Sequence, residues 1–448
     1  GRLLSETLSP SGGVGGGSTL YSYDVAAGKR TLTYPSGMKV VEQLNARNLI
    51  TSILQNGDEV VTMTYNAAGQ KTSQTYANGI TTEYGYNDNG WLASIKADHD
   101  IMSLEMDYDA NGNMTQRRDL LDGNRTESYG YDVIGQLTSF RRGTTVDKSY
   151  EFDLLGNRVK MLENGVATTY TTNNVNAYTS ITGPQAFTPE YDENGNLLRD
   201  ASNKYAYDFN NHLSMTGTTE YKYDALGRRV AKGDTYYYYD HLQMIESTNG
   251  DATKTYVVAS HLDNVVAQNA AAATYYYTAD QLGSTVVVTD AQGKTTERTA
   301  YDAYGKPSFI DAQGIHTEQS SIGNNILFTG REYDTETGPY YYRARNMQSD
   351  LGRFMQKDPM RYINGMNDYS YVVNAPTFYL DPLGLSCDDK RSDFCERHPW
   401  ICGILPDGNA GGCFAVGVGV CGSINAGWDS DGNFYIGGEF SPVFGWAK

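Results

Sequence analysis

Several features that define other protein classes are missing from this 448-residue chain. Residues 1–386 contain no cysteine, and all five cysteines fall in the last stretch of the sequence. No run of 18 apolar residues occurs, so the sequence predicts no membrane-spanning helix. Lysine and arginine (35 residues) are outnumbered by aspartate and glutamate (53), giving a formal charge of -18. This deficit of basic residues argues against nucleic acid as the main partner, and its plainer interpretation is the solubility of a large surface.

Tyrosine and glycine are the residues in excess, with 37 and 48 copies. Aromatic and threonine side chains favour strands, whereas glycine, asparagine and aspartate favour turns. The composition therefore predicts an all-β chain with many turns and no long helices.

One short phrase recurs nine or ten times between residues 65 and 305: an aromatic residue, Asp or Asn, two variable residues and Gly. An aromatic packs on a pleated face, Asp caps a turn, and Gly adopts the positive φ of tight turns. Each unit is predicted to be a strand, a turn and a strand, and units that cannot bury a core alone must stack. The clearest copies start at Tyr108-Asp109, Tyr131-Asp132, Phe152-Asp153, Tyr191-Asp192, Tyr223-Asp224 and Tyr301-Asp302, with looser copies at Tyr65, Tyr86 and Tyr207.

Changes of composition divide the chain into four segments. Residues 1–19 are Gly-rich and are predicted to be a flexible lead-in, and residues 20–335 carry the repeat array. Residues 336–385 lose the periodicity and are dense in Arg, Asp, Asn and Pro, which indicates a terminating element. All five cysteines and three of the four tryptophans lie in residues 386–448, which places a boundary near residue 386.

Sequence motifs near the end of the array and in the terminating element are more specific than the repeats. They are Tyr275 to Gly283, Tyr342-Arg343-Ala344-Arg345, Gly352-Arg353-Phe354, Asp358-Pro359, and Pro376 followed by Asp381-Pro382-Leu383-Gly384-Leu385. Together with the repeats, these motifs resemble the Rhs/YD-repeat family of bacterial polymorphic toxins, which is related to the C components of Tc toxins and to teneurins. The resemblance covers about residues 20–385 and leaves out the tail.

The resemblance implies a fold and a function. The implied fold is a β-strand spiral that forms a hollow shell, plugged by the core-terminal element, although this chain is shorter than family cores usually are. The implied cargo is the chain's own C-terminal tail, cut from the shell between Leu385 and Ser386. The implied setting is a secreted or surface-delivered effector used in competition between bacteria, with a secretion or delivery partner and an immunity protein. No nucleic acid is expected as a partner of the shell.

Two acids near this bond, Asp358 and Asp381, are the predicted catalytic pair. Paired carboxylates that share a proton can hydrolyse a peptide, one activating water and the other protonating the leaving group. Asp368 is the reserve candidate. Arginines of the element can orient a carboxylate or hold one ionised: Arg343, Arg345 and Arg353.

Other interpretations of the same residues stay open. Asp-Pro commonly starts turns, so Asp381 can serve only as a turn cap. The Ser386 hydroxyl can instead attack the Leu385 carbonyl in an N-to-O acyl shift, a route that Ser386→Ala removes. Asp-Pro bonds are also acid-labile, so any fragments that ended at Asp358 or Asp381 would be artefacts of acid cleavage.

The tail reveals no activity of its own. The spacings of Cys387, Cys395, Cys402, Cys413 and Cys421 fit no Cys-x-x-Cys metal site, and five cysteines allow two disulfides and one free thiol, or buried reduced thiols. His398 with one cysteine can form a nucleophilic pair, but a lone histidine beside Pro399 and Trp400 is more typical of packing. Residues 411–436 predict a β-hairpin with an Asp-Gly turn. No metal and no cofactor are predicted.

Two functions from different classes fit the sequence. The first is a toxin-encapsulating shell that cleaves itself after Leu385 by an intramolecular aspartyl mechanism. The alternative is a non-cleaving secreted or wall-associated repeat protein that binds carbohydrate or mediates cell contact. The repeats suit both, whereas an acid pair beside a domain junction favours the first.

Overall fold

The computed structural model describes residues 2–8, 16–259, 262–270, 273–361 and 365–385, together with the backbone of four strands within 388–442. These residues are almost entirely strands and turns, as the all-β prediction requires. No α-helix occurs among them, and three short 3-10 turns lie at Gly123–Arg125, Phe328–Gly330 and Val372–Asn374. No helix in this part of the chain is long and apolar enough to cross a membrane.

Seventeen strands form a first antiparallel meander, in which each strand pairs with the next along the chain. They are β1 (Ser5–Leu8), β2 (Gly17–Asp24), β3 (Lys29–Thr33), β4 (Lys39–Leu44), β5 (Ile50–Gln55), β6 (Asp58–Tyr65), β7 (Lys71–Tyr76), β8 (Thr81–Tyr86), β9 (Leu92–Ala97), β10 (Met102–Tyr108), β11 (Met114–Asp119), β12 (Glu127–Tyr131), β13 (Leu137–Arg142), β14 (Val146–Phe152), β15 (Arg158–Glu163), β16 (Val166–Thr172) and β17 (Tyr178–Thr182).

The lead-in prediction differs from the structure at Ser5–Leu8. These residues form β1 and pair antiparallel with β2, so a strand begins well before residue 20. The physical reason is that β2 offers its free edge to Ser5–Leu8, a segment without glycine whose backbone groups pair with that edge. Residues 9–15, which carry three of the six glycines of the lead-in, lie outside the described residues.

A short hairpin and a second meander follow. The hairpin is β18 (Glu190–Tyr191) with β19 (Leu197–Arg199). Thirteen strands then pair in chain order. They are β20 (Tyr205–Tyr207), β21 (Leu213–Thr216), β22 (Thr219–Tyr223), β23 (Arg229–Lys232), β24 (Thr235–Asp240), β25 (Gln243–Asn249), β26 (Ala252–Val258), β27 (Val265–Ala270), β28 (Ala273–Ala279), β29 (Thr285–Thr289), β30 (Thr295–Tyr301), β31 (Pro307–Asp311) and β32 (His316–Thr317).

A smaller four-stranded sheet comes after the second meander. It consists of β33 (Glu332–Tyr333), β34 (Pro339–Tyr342), β35 (Arg345–Gln348) and β36 (Arg353–Phe354). The last strands are β37 (Tyr379–Leu380), β38 (Asp388–Asp389), β39 (Cys413–Phe414), β40 (Val420–Trp428) and β41 (Phe434–Pro442). Strands β40 and β41 form a hairpin in the tail, in which Trp428 pairs with Phe434. Its first strand begins at Val420, at the end of the run 411–420 that was predicted to form it. The cysteine side chains, His398 and the Asp431-Gly432 turn lie outside the described residues.

The repeated phrase forms the predicted turn. In the copy at Asp132, the carboxylate Oδ1 accepts the N–H groups of Ile134 (3.0 Å) and Gln136 (2.9 Å). Gly135 has a φ of 86° and donates its N–H to the Asp132 carbonyl at 3.1 Å. The Asx turn and the left-handed glycine are what the residue types predict.

The aromatic of the phrase also ties one repeat to the repeat before it. The hydroxyl of Tyr131 donates to the Met114 carbonyl at 2.7 Å, and that of Tyr108 donates to the Leu92 carbonyl at 2.7 Å. Equivalent bonds run from Tyr65 to Ile50, Tyr86 to Lys71, Tyr207 to Leu197, Tyr223 to Leu213 and Tyr301 to Thr285. Tyrosine rather than phenylalanine dominates the phrase because its hydroxyl satisfies a carbonyl at the start of the neighbouring strand.

The two meanders bury a shared core. Ile53 and Val61 of the first are fully buried in one cluster with Val257 and Val266 of the second. These β-branched side chains pack well on pleated surfaces and remove a large apolar area from water. A second cluster packs Tyr340 and Phe354 of the four-stranded sheet with Phe140 and Tyr150 of the first meander, so this sheet is seated against a wall built by residues far away in the chain.

Candidate active site

The segment before the predicted cleavage site, residues 381–385, packs against the turn between β34 and β35. Three successive residues of this turn bind three successive carbonyls: the Arg343 guanidinium donates to Pro382, the Ala344 N–H donates to Leu383 (3.2 Å), and Arg345 Nε donates to Gly384 (2.6 Å). Each acceptor lies 39 residues further along the chain than its donor. The motif Tyr342-Arg343-Ala344-Arg345 thus holds the Asp381-Pro382-Leu383-Gly384 motif by its backbone.

Arg345 is the centre of the site. Its Nη2 lies 2.9 Å from Asp381 Oδ2 and 3.2 Å from Asp358 Oδ2, so one nitrogen bridges both predicted catalytic acids. All three residues are buried, with 2–3% of their surface exposed. The Arg345 guanidinium carbon also lies 3.6 Å from the centre of the Phe354 ring, which fixes its plane. Both predicted acids therefore lie against one guanidinium.

Each acid also organises its own turn. Asp381 Oδ1 accepts the Leu385 N–H at 2.9 Å, and Asp358 Oδ1 accepts the Met360 N–H at 2.8 Å. Both prolines that follow these acids lie inside these turns, where a fixed φ is favourable. The turn-capping interpretation of Asp381 is therefore confirmed, and it leaves the second carboxylate oxygen for Arg345.

Gly384 is required by the close approach of the cleavage segment. Its φ is 67°, and a Cβ at this position would lie under 3.0 Å from the Tyr342 carbonyl oxygen. No L side chain fits both conditions without a shift of the backbone. The glycine of the motif is thus explained by the contact with β34.

Asp368 takes part in the site through its backbone. Its carbonyl accepts the Asp358 N–H (2.8 Å) and Arg345 Nη1 (3.3 Å). Its carboxylate points elsewhere, since the nearest cation is Arg361 Nη1 at 3.7 Å. Burial raises the pKa of the Asp368 carboxyl above its usual range, and this arginine only partly opposes the shift.

Arg353, the arginine predicted for the site, lies away from both acids. Its Nη2 donates to the Asn176 carbonyl (2.9 Å) and to Asn367 Oδ1 (3.1 Å). The reason is the alternation of side chains along a strand: the neighbouring Phe354 faces Arg345, so Arg353 faces the opposite side. The sequence offered Arg343, Arg345 and Arg353 without distinguishing among them. The register of the strands is what brings Arg345 to the two acids.

Arg343 completes the support of the cleavage segment. Its Nη2 lies 2.8 Å from Asp263 Oδ1 and donates to the Leu242 carbonyl at 2.9 Å. Arg331 forms a second, short ion pair with the same Asp263. Asp263 belongs to the turn between β26 and β27, so the second meander positions the cleavage segment through one carboxylate. Nothing in the sequence pattern signals this contact.

The electrostatics of the site follow from burial. Burial lowers the pKa of Arg345, and the Asp381 and Asp358 carboxylates oppose that shift. Two carboxylates facing one guanidinium carry one excess negative charge, so a single proton neutralises the group. A carboxylate pair that binds one proton is suited to acid–base chemistry on a peptide. No group of acidic, histidine or cysteine side chains suited to a metal ion occurs among the residues the structure describes.

Two short paired strands flank the predicted scissile bond along the chain. Leu380 pairs with Asp388 and Tyr379 with Asp389, so β37 and β38 flank the segment from Asp381 onward. Leu385 is described and is bound by Asp381, whereas Ser386 lies outside the described residues.

This fold and the repeated turns define a class of protein, the YD-repeat shells. The family model described as Teneurin YD-shell matches residues 97–379, and the model described as RHS Repeat matches residues 65–100. The chain belongs to the Rhs/YD-shell family, and the resemblance stated from the motifs is confirmed.

Curated relatives include bacterial nucleases and toxins. The chain is 27% identical over 302 residues to the tRNA nuclease WapA of Bacillus subtilis, a match that covers 65% of this chain and 11% of WapA. It is 32% identical over 106 residues to the toxin protein Tse5 of Pseudomonas aeruginosa, covering 24% of this chain and 7% of Tse5. The chain therefore spans only a small part of the length of these relatives.

A solved structure shows the same fold. The complex TcdB2-TccC3-Cdc42 superposes with a TM-score of 0.69 at 20% identity, covering 83% of this chain and 22% of the solved chain. The prediction of an all-β YD shell is confirmed by this likeness and by the family match.

Proposed function

We propose that this chain is a toxin-encapsulating shell that cuts itself after Leu385 and so frees its C-terminal segment as an effector. In this proposal residues 20–335 build the wall, residues 336–385 do the cutting, and residues 386–448 are the cargo. The single observation that carries it is the position of Arg345, which joins both buried carboxylates to the carbonyl of Gly384, one residue before the proposed bond.

In the proposed chemistry the two carboxylates share one proton. The ionised carboxylate takes a proton from a water molecule, whose oxygen attacks the Leu385 carbonyl carbon. The protonated carboxyl gives its proton to the Ser386 nitrogen as the C–N bond breaks. The products are a carboxyl group at Leu385, which loses its proton to solvent, and a free amine at Ser386. The acid pair again holds one proton, now on the other carboxyl.

Arg345 and Arg343 are positioning residues in this scheme. Arg345 holds Asp358 and Asp381 against one nitrogen, and it fixes the carbonyl of Gly384. Arg343 holds the Pro382 carbonyl and is itself held by Asp263 at 2.8 Å. Fixed reacting groups reduce the entropy cost of reaching the transition state.

The setting of the proposed reaction comes from the family. One relative, Tse5, is named as a toxin, so we include in the proposal a secreted or surface location, a delivery partner, an immunity protein and use in competition between bacteria. The nuclease activity named for WapA belongs to that protein.

The test is denaturing intact-mass spectrometry on freshly purified protein. Wild type should give two fragments, residues 1–385 and 386–448, whereas Asp381→Ala and Asp358→Asn should give one whole chain. Ser386→Ala should still be cut, because water and not the serine hydroxyl is the nucleophile. Mild pH during preparation controls for acid cleavage at Asp358-Pro359 and Asp381-Pro382, which would give different masses.

A whole wild-type chain would overturn the cleavage proposal. The alternative, a non-cleaving repeat protein at a surface, would then be the better-supported function. Cleavage of Asp381→Ala at the wild-type rate, or loss of cleavage only in Ser386→Ala, would replace the aspartyl mechanism with the acyl shift.

A further inference from the structure

A small cavity lies between the repeat wall and the terminal element. The wall contributes Gly156 and Arg158, and the terminal element contributes Gly352, Arg353 and Ser370. The cavity offers about 10 Å³ to the centre of a water-sized sphere, which is room for one small particle. It lies outside the group of acids around Arg345.

Arg158 enters the cavity from the wall and is only 4% exposed. Its guanidinium lies 4.7 Å from the centre of the Tyr150 ring and 4.5 Å from that of Tyr304. Its Nε is buried and has no hydrogen-bond partner among the residues the structure describes. A side chain at position 352 would collide with this guanidinium, so Gly352 leaves room for Arg158.

Arg353 enters from the terminal element and is 5% exposed. Tyr178 and Tyr369 stack against it at 4.1 and 4.7 Å. Its Nη2 is satisfied by Asn176 and Asn367, but its Nη1 has no partner within the described residues. The buried hydroxyl of Ser370, which also lines the cavity, is likewise without a partner in that part of the chain.

Three other buried arginines of the protein have two carboxylates each. Arg117 pairs with Glu127 (2.8 Å) and Asp280 (2.9 Å). Arg229 pairs with Glu332 (2.9 Å) and Asp334 (2.8 Å), and Arg345 pairs with the two catalytic candidates. In contrast, no ion pair joins Arg158 or Arg353 to any carboxylate among the described ranges.

Two buried cations on one cavity need a counter-charge. A guanidinium stays protonated in proteins, so these two cannot escape the cost of burial by losing a proton. Stacked tyrosine rings recover about 2 kcal/mol of that cost, whereas an unpaired buried ion costs several. A water molecule would satisfy the free donors but would leave both charges uncompensated.

We propose that this cavity binds one small monovalent anion of about the size of chloride. The anion accepts from Arg158 Nε, Arg353 Nη1 and the Ser370 hydroxyl. It joins the terminal element to the repeat turn at Gly156, and so it helps to seat the cutting element on the wall. Polyatomic anions such as sulfate exceed the space available.

The direct test is crystallography on the full chain with bromide in place of chloride. An anomalous difference peak within hydrogen-bond distance of Arg353 Nη1 and Ser370 Oγ is expected, and Ser370→Ala should weaken it. A cavity filled by a particle without anomalous signal would show a water site and overturn the inference.

A solution measurement separates a true site from occupancy at crystal concentrations. At constant ionic strength, replacing chloride by gluconate should lower the wild-type Tm by about 2 °C. The dependence should disappear in Arg353→Gln and persist in Arg141→Gln, whose exposed side chain pairs with Asp147. A bromide peak accompanied by identical anion dependence in wild type and Arg353→Gln would count against the proposal. Should Arg353→Gln fail to fold, Ser370→Ala replaces it, because that change leaves both charges in place and should reduce the Tm shift.

Discussion

The turn at Asp132 in the repeat wall and the turn at Asp381 in the terminal element use the same backbone design for different ends. In both, Oδ1 of the aspartate accepts the N–H of the fourth residue on, at 2.9 Å, and a glycine with positive φ closes the turn. They differ in their surroundings, because Asp132 is half-buried and Asp381 is buried against Arg345. Turn capping is thus compatible with the proposed catalytic role of Asp381.

The second carboxylate oxygen is what distinguishes the two regions. In the repeat turn at Asp153 it accepts from the Asn157 side chain at 2.9 Å, which only reinforces the turn. In Asp381 the second carboxylate oxygen pairs with Arg345, which also binds Asp358. A structural turn therefore becomes a candidate catalytic turn when a buried cation and a second acid replace the local amide.

The largest expected effect comes from the charge of Asp381. Asp381→Asn keeps the Oδ1 acceptor and the turn but removes the acid, so cleavage at Leu385 should slow by at least about 100-fold with little change in Tm. Asp132→Asn, the matched change in a repeat turn, should leave cleavage unchanged. Time-resolved intact-mass spectrometry measures both, and equal cleavage in the two variants would remove the distinction between the turns.

The next effect concerns stability. Arg345→Gln leaves two buried carboxylates without their cation, so the free energy of unfolding should fall by about 3–5 kcal/mol. Arg141→Gln removes an exposed ion pair with Asp147, which should cost less than about 1 kcal/mol. Urea unfolding followed by tyrosine fluorescence gives both values. A loss as small for Arg345→Gln as for Arg141→Gln would mean that the acids find other partners.

A smaller effect is expected for the glycine of the cleavage turn. Gly384→Ala meets the Tyr342 carbonyl as well as the strain of a positive φ, whereas Gly79→Ala, with a φ of 85°, has nothing within 4 Å of the new Cβ. The control should lose about 1 kcal/mol from strain alone, and Gly384→Ala should lose more and be cut more slowly. Urea unfolding and intact-mass measurements on both variants test this, and equal losses would rule out the close approach.

The smallest effect is a pH dependence at Asp368. Because burial raises the pKa of this carboxyl, its ionised form destabilises the folded state at neutral pH, and the penalty is relieved as pH falls through the raised pKa. Asp368→Asn should therefore raise the Tm at pH 7, with a difference that shrinks towards acidic pH. It should still be cut, since the Asp368 backbone and not its carboxylate contacts Arg345.

The control for this measurement is Asp88→Asn, a change at an exposed position. Its Tm difference from wild type should stay small at every pH. Abolished cleavage in Asp368→Asn would instead make the reserve candidate a catalytic acid.

The wall was predictable from local chemistry. Asp-x-x-Gly phrases specify their own turns, because the aspartate caps the backbone and the glycine supplies the positive φ within five residues. The sequence also marked Asp358, Asp381 and the Leu385 end through the family motifs. It did not reveal the tyrosine bonds between repeats, such as that of Tyr131 to Met114, since these depend on which strands lie side by side.

By itself, the sequence determined the strand–turn repeat, the all-β class and the motif that carries the proposed cut, because each of these depends on residues close together in the chain. Only the tertiary structure decided which arginine meets the acids. The register of β35 and β36 turns Arg345 towards Asp358 and Asp381 and turns Arg353 towards the cavity shared with Arg158. Side-chain alternation and the packing of distant strands fix these directions, and neither is written in the local pattern.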